Sequence, residues 1–220
     1  MSRRIVAGAV VARIWSLYRA NAAVLLPAAV VLSAIQLGIA LLLPTALALI
    51  FALVFWVLSL LYQGFVVEVV AQARVGAHVA GQRDLLRAVT PALGSLILIS
   101  ILFAIGVAIG FVLIVVPGLV LLTLWSVVVP AEVLERRGVF GSFGRSRELV
   151  RGNGWPVFGV IVVVYIALLV ISLLAAVVAA SLGHVGRDLV QWAVSVAVMP
   201  VVALSASVLY FELLDAHGGV

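Results

Sequence analysis

The sequence predicts an all-α integral membrane protein. Six transmembrane helices are expected as three in–out–in hairpins, with a short amphipathic interfacial helix before each hairpin. Three observations lead there. Of the 220 residues, 66% are hydrophobic and 10% are charged, against about 45–50% and about 25% in a soluble domain. A core of this size cannot bury that surplus, so lipid must cover it. The apolar residues also come in runs that approach or exceed the roughly 20 residues a spanning helix needs. Finally, the basic residues lie in short clusters between those runs.

The spans are expected at about 22–43, 45–70, 92–116, 119–134, 155–182 and 189–214. The first ends at Pro44, the third at Pro117-Gly118 and the fifth at Gly183. Proline lacks a backbone donor and glycine tolerates left-handed geometry, so both mark turns. In hydrocarbon every backbone group must be paired internally, which makes the runs helices. The fourth run is the shortest and is interrupted by Pro130, where it is a candidate to leave the membrane.

Residues 3–20 precede the first run. Arg3 and Arg4 with the apolar stretch 5–12 resemble the start of a signal peptide, but Arg13 and Arg19 interrupt it and no small-x-small site follows. The segment therefore reads as mature protein. On a helical wheel Val6, Val10, Val11, Ile14, Trp15, Leu17 and Tyr18 share one face, opposite Arg13 and Arg19. That split suits a helix lying along the membrane surface; an extension of the first span is the alternative.

Orientation follows from arginine. All thirteen basic residues are Arg. With a cytoplasmic N-terminus only Arg187 falls outside, so the positive-inside rule puts both termini in the cytoplasm of a cell that holds the chain in its plasma or inner membrane.

An internal repeat is legible. Ser16-Leu17-Tyr18-Arg19-Ala20, Asp84-Leu85-Leu86-Arg87-Ala88 and Glu148-Leu149-Val150-Arg151-Gly152 align, and Pro27, Pro91 or Pro156 follows each. Glu68-Val69-Val70, Glu132-Val133-Leu134 and Glu212-Leu213-Leu214 match at the far ends of the hairpins. The same step of 19 residues separates Glu68 from Arg87 and Glu132 from Arg151. The chain thus reads as one transmembrane domain, 1–220, of three units at about 3–76, 77–138 and 139–216. Their pseudo-threefold axis is expected along the membrane normal. A carboxylate at the edge of hydrocarbon is costly unless paired or hydrated. Glu68, Glu132 and Glu212 are therefore expected to meet Arg19, Arg87 and Arg151.

The middle of the chain carries a further pattern. Val116-Pro117-Gly118-Leu119 opens a helix that ends Pro130-Ala131-Glu132-Val133-Leu134-Glu135. Gly141-Ser142-Phe143-Gly144-Arg145-Ser146 and Leu149-Val150-Arg151-Gly152-Asn153-Gly154-Trp155 follow, and Tyr210-Phe211-Glu212-Leu213 stands near the end. From about residue 83 onward this resembles the membrane domain attached to some glycerophosphodiester phosphodiesterases, and related stand-alone six-helix membrane proteins of bacteria and archaea. Pro156 after the Trp is a departure. The resemblance implies the six-helix fold and no particular activity. The metal-binding acids and His residues of that phosphodiesterase are not in these 220 residues.

No enzyme is expected. His78, His184 and His217 are scattered without metal spacing, there is no Cys, and neither H-E-x-x-H nor G-x-S-x-G occurs. No metal, cofactor or nucleic acid is expected. Polar residues at depth are Gln36, Gln63, Thr123, Ser126, Ser172, Ser205 and Ser207, with Gln36 and Gln63 the intramembrane candidates. Gly106 and Gly110 form a GxxxG, suited to close packing within the bundle or against another subunit. Two functions of different class stand. The first is a non-catalytic module that docks lipid or a partner protein on its Arg-rich cytoplasmic face, through Arg136, Arg137, Arg145, Arg147 and Arg151. Anionic headgroups, a protein partner or a second copy of the chain are its expected partners. The second is a transporter or flippase of a lipid-like or amphipathic substrate. A groove between helices favours the second, a tightly filled bundle the first.

Overall fold

A computed structural model describes residues 7–42, 45–76, 81–113 and 115–218, and all its regular elements are helices. In order they are α1 (Ala7–Ala20), α2 (Ala22–Leu42), α3 (Thr45–Arg74), α4 (Gln82–Val89), α5 (Leu93–Leu113), α6 (Val115–Leu124), α7 (Val128–Glu135), α8 (Gly138–Val150), α9 (Gly154–Ala180) and α10 (His184–Ala216). A 3-10 turn, Thr90–Ala92, links α4 to α5. Six stretches are long and apolar enough to cross a membrane; α4 with α5 forms one, α6 with α7 another. The protein is a multi-pass membrane protein. Arg3, Arg4, the turn at Pro44 and His78 lie outside the described residues.

Consecutive spans pack on each other: α2 on α3, α5 on α6, and α9 on α10. The last helix is the hub, touching α1, α2, α3, α7, α8 and α9. Its final turns are nearly all inside, with Leu204, Ser207, Val208, Leu209, Tyr210 and Leu213 buried. The main core gathers at one end of the bundle. It joins Leu25 and Ala29 near the start of α2, Phe65, Val66 and Val69 near the end of α3, Leu149 and Val150 at the end of α8, and Val157 and Val160 near the start of α9. That is also the Arg-rich end. By contrast α9 turns most of its length outward, with Ile166, Leu169, Val170, Leu173 and Leu174 exposed. Such a face is what lipid covers.

Two helix boundaries differ from expectation. Pro117-Gly118 does not stop a helix. α5 ends at Leu113, and Pro117 sits in the first turn of α6, where a missing N–H costs nothing. Close approach there depends on glycine: a Cβ on Gly110 would lie 2.9 Å from the Gly118 Cα. The sixth span also starts earlier than position 189, so Arg187 falls in the first turn of α10.

The fourth span does break, but ahead of Pro130 rather than at it. Residues 125–127 leave the α-helix and the chain resumes as α7. Proline cannot donate to the carbonyl four residues back and its ring collides with it. That carbonyl belongs to Ser126, which is where the helix gives way.

Candidate functional site

The break leaves backbone groups that hydrocarbon cannot satisfy. Val128 N–H turns to the Trp125 carbonyl at 3.2 Å, so the Leu124 carbonyl loses its usual donor. Ser146 on α8 repairs both sides of the gap. Its hydroxyl donates to Leu124 O at 2.7 Å and accepts from Val127 N–H at 3.3 Å. Ser142, one turn earlier on the same face, donates to Glu132 Oε2 at 2.7 Å. Glu132 is 3% exposed and Ser142 fully buried, so this bond offsets part of the cost of a buried carboxylate.

Beside it, Glu135 ties three helices together. Arg145 Nε donates to Glu135 Oε1 at 2.9 Å, and the Tyr210 hydroxyl donates to the same oxygen at 2.6 Å. Arg137 stands within ion-pair reach of Oε2, off hydrogen-bond alignment. Arg145 also reaches Glu148 at 3.1 Å. The hydrogen bond to Glu135 holds the Arg145 guanidinium above its ordinary range.

Of the five arginines expected to form a docking surface, three are therefore engaged within the chain: Arg145 and Arg137 on Glu135, and Arg136 on the Ala88 carbonyl at 3.2 Å. Arg147 and Arg151 are exposed and make no ion pair among the described residues.

The expected carboxylate partners are different in the structure. Glu212 meets Arg13 at 2.9 Å, Glu132 meets Ser142, and Arg136 is the charge that acts on Glu68. Arg19 lies over the Trp15 ring at 5.5 Å, and Arg87 approaches Asp84 on its own helix. The reason is helical geometry. In each repeat the Arg stands two residues after a Leu, about 200° around the helix. Leu85 and Leu149 are fully buried and Leu17 packs on the core, so Arg19, Arg87 and Arg151 point outward.

Between α3, α5, α6–α7, α9 and α10 lies an open cleft of about 400 Å³. Its walls stand roughly 10–25 Å in from the Arg-rich helix ends at 1.5 Å per residue, near the middle of a bilayer core of about 30 Å. Each helix presents a stripe at helical spacing, such as Trp56, Ser59, Leu60 and Gln63 on α3. Trp125, Ser126 and Val128 from the helix break form part of the wall. Trp125 is held edge-on by Phe143 at 4.9 Å and lies across Gly106, where a Cβ would meet its ring at 2.4 Å. The GxxxG glycines thus serve packing inside the chain.

Among the polar residues expected at depth, Gln63, Ser126 and Ser205 line this cleft. Thr123 and Ser207 are buried and bond their own helices, while Ser172 is exposed. Gln36, the other intramembrane candidate, is exposed on α2. Sequence assigns no role to Ser59 and Ser100, and names Ser146 only within the 141–146 pattern. A signal for Ser146 existed: Ser142, Ser146, Leu149 and Val150 form one i, i+4, i+7, i+8 face on α8. Among the described residues no three His, Asp or Glu gather as metal ligands. Compared with protein-family models, with curated proteins and with solved structures, the chain matches none.

Proposed function

We propose that this chain is a transporter or flippase that takes a lipid-like or amphipathic molecule into the cleft between its helices. The observation that carries the reading is the broken helix on the cleft wall. Irregular backbone at membrane depth is tolerated where protein buries it or where it lines a cavity. Here Trp125, Ser126 and Val128 stand on a cleft of about 400 Å³, within the roughly 300–1,000 Å³ of ligand sites, and the wall is mainly apolar with few polar groups, as such sites are.

The six spans form three in–out–in hairpins in this reading, with both termini in the cytoplasm of a plasma or inner membrane. The order short helix, span, span recurs three times along the chain, at α1–α3, α4–α7 and α8–α10. That order supports the pseudo-threefold repeat and the resemblance to the six-helix membrane domain. The Arg-rich end, with Arg147 and Arg151 exposed, is the cytoplasmic face and meets anionic headgroups. Ion pairs with Glu135 engage Arg137 and Arg145 within the chain, which leaves that face fewer free guanidinium groups for docking a partner.

Native mass spectrometry of gently extracted protein tests the proposal. A bound lipid-like species is expected on the wild-type protein, and Ala206→Phe, which fills the cleft, is expected to remove it. Equal occupancy on both proteins would overturn the cleft as the site.

A further inference from the structure

The chemistry of the cleft wall narrows what it holds; this inference rests on the cleft being the binding site. Four wall hydroxyls have already committed their protons to their own helices. Ser59 donates to Trp56 O at 2.6 Å, Ser100 to Leu96 O at 2.9 Å, Ser126 to Thr123 O at 2.9 Å and Ser205 to Val201 O at 2.6 Å. Each Oγ therefore offers the cleft only its lone pairs. Gln63, also on the wall, makes no hydrogen bond among the described residues, so its carbonyl and its amide N–H are both open. An amide at this depth without a partner is costly.

Among the described residues the wall holds no Asp, Glu, Lys, Arg or His. A charged group lodged there has no counter-charge, and burying an unpaired charge at membrane depth is strongly unfavourable. The remaining lining is mainly apolar, including Leu60, Ile99, Phe103 and Leu168, and Trp56, Trp125 and Tyr165 add indole N–H and phenol O–H groups. The occupant that suits this wall brings an apolar chain, no charge, and a group that donates to the acceptor oxygens and accepts from the Gln63 amide or a neighbouring aromatic N–H or O–H. A hydroxyl does both.

We infer that the cleft is selective for an uncharged lipid alcohol. Its hydroxyl donates to the serine oxygens or the Gln63 carbonyl and accepts from the Gln63 amide, while its chain lies along the apolar wall. Anionic lipids are excluded from the cleft and meet the protein only at the arginine end.

The test measures binding of hexadecanol, its methyl ether and hexadecanoate to purified full-length protein in detergent at pH 8, by native mass spectrometry. The ether keeps the chain and loses the donor; the carboxylate adds a charge. Wild-type protein is expected to favour the alcohol over the ether about tenfold, the scale of one buried hydrogen bond left unmade, and over the carboxylate by more. Gln63→Leu is expected to bring the alcohol down toward the ether. Ala206→Phe, with Ala104→Phe as a second filling variant, is expected to remove both. If alcohol and ether bind equally and the filling variants remove both, the inference fails while the cleft stands as the site. If no probe binds, or if neither filling variant changes binding, both fail. Tighter binding of hexadecanoate than of the alcohol also overturns the inference. The wild-type comparison stands whether or not the variants fold.

Discussion

At the scale of single residues, small polar side chains hold the irregular parts of this structure. Ser146 is the clearest case, because one hydroxyl serves a donor and an acceptor that the Pro130 break sets loose. Val127 is fully buried, so no solvent can replace the serine. Ser146→Ala should therefore lower unfolding free energy by about 1–3 kcal/mol, the cost of buried groups left unpaired. Thermal unfolding in detergent measures this. Ser181→Ala, which removes an exposed hydroxyl bonded to its own helix, should stay within about 0.5 kcal/mol. Tyr210→Phe removes a donor to the Glu135 carboxylate and should cost about 1.5–3 kcal/mol, the range for a hydrogen bond to a charged group. A double-mutant cycle with Arg145→Ala should give non-additive losses, since both donors share one oxygen. Sequence told which charges sit near the hydrocarbon edge but not which ones meet. The pairs expected for Arg19, Arg87 and Arg151 failed because an Arg two residues past a buried Leu must face outward. That rule was available from the spacing. The true partners come from other helices and depend on how each helix is rotated, which no local pattern encodes.

At the scale of elements, the apolar runs were readable and their interruptions only partly so. Proline was an incomplete guide: Pro27 and Pro200 lie inside helices that continue past them. Pro130 breaks the helix at the carbonyl four residues earlier, whereas Pro117 begins a helix instead of ending one. The difference is position within the helix: the first turn has no bond for proline to remove. Glycine carries the α5–α6 contact. At Gly110 an added Cβ would meet backbone of the facing helix at 2.9–3.0 Å, so the neighbour cannot yield by rotating a side chain. Gly110→Leu should lower the melting temperature of the monomer and leave its mass in solution unchanged. Light scattering combined with thermal unfolding reads both. A variant that keeps monomer stability and abolishes a dimer would mean that the GxxxG works between chains.

At the scale of the whole molecule, composition alone was enough for a multi-pass membrane protein, because 66% apolar residues leave no other solvent for the surface. The cleft was not legible. It is made by stripes from five elements, and each stripe taken alone reads as ordinary helix packing. The orientation proposed from the arginine bias can be measured with few substitutions, since the chain has no Cys. Gly144→Cys on α8 should react with a membrane-impermeant maleimide only from the cytoplasmic side, and Arg187→Cys at the start of α10 only from outside. Reaction of both from one side would contradict the in–out–in arrangement. In the proposed function a lipid-like molecule occupies the space behind the broken helix. Photo-crosslinking in the native membrane with a diazirine-bearing long-chain alcohol, followed by peptide mapping, tests it most directly. Label is expected on wall residues such as Gln63, Ser100 and Ser205, competed away by unlabelled alcohol. Label confined to the outer face of α9, at Ile166, Leu169 and Val170, and indifferent to competitor would contradict it.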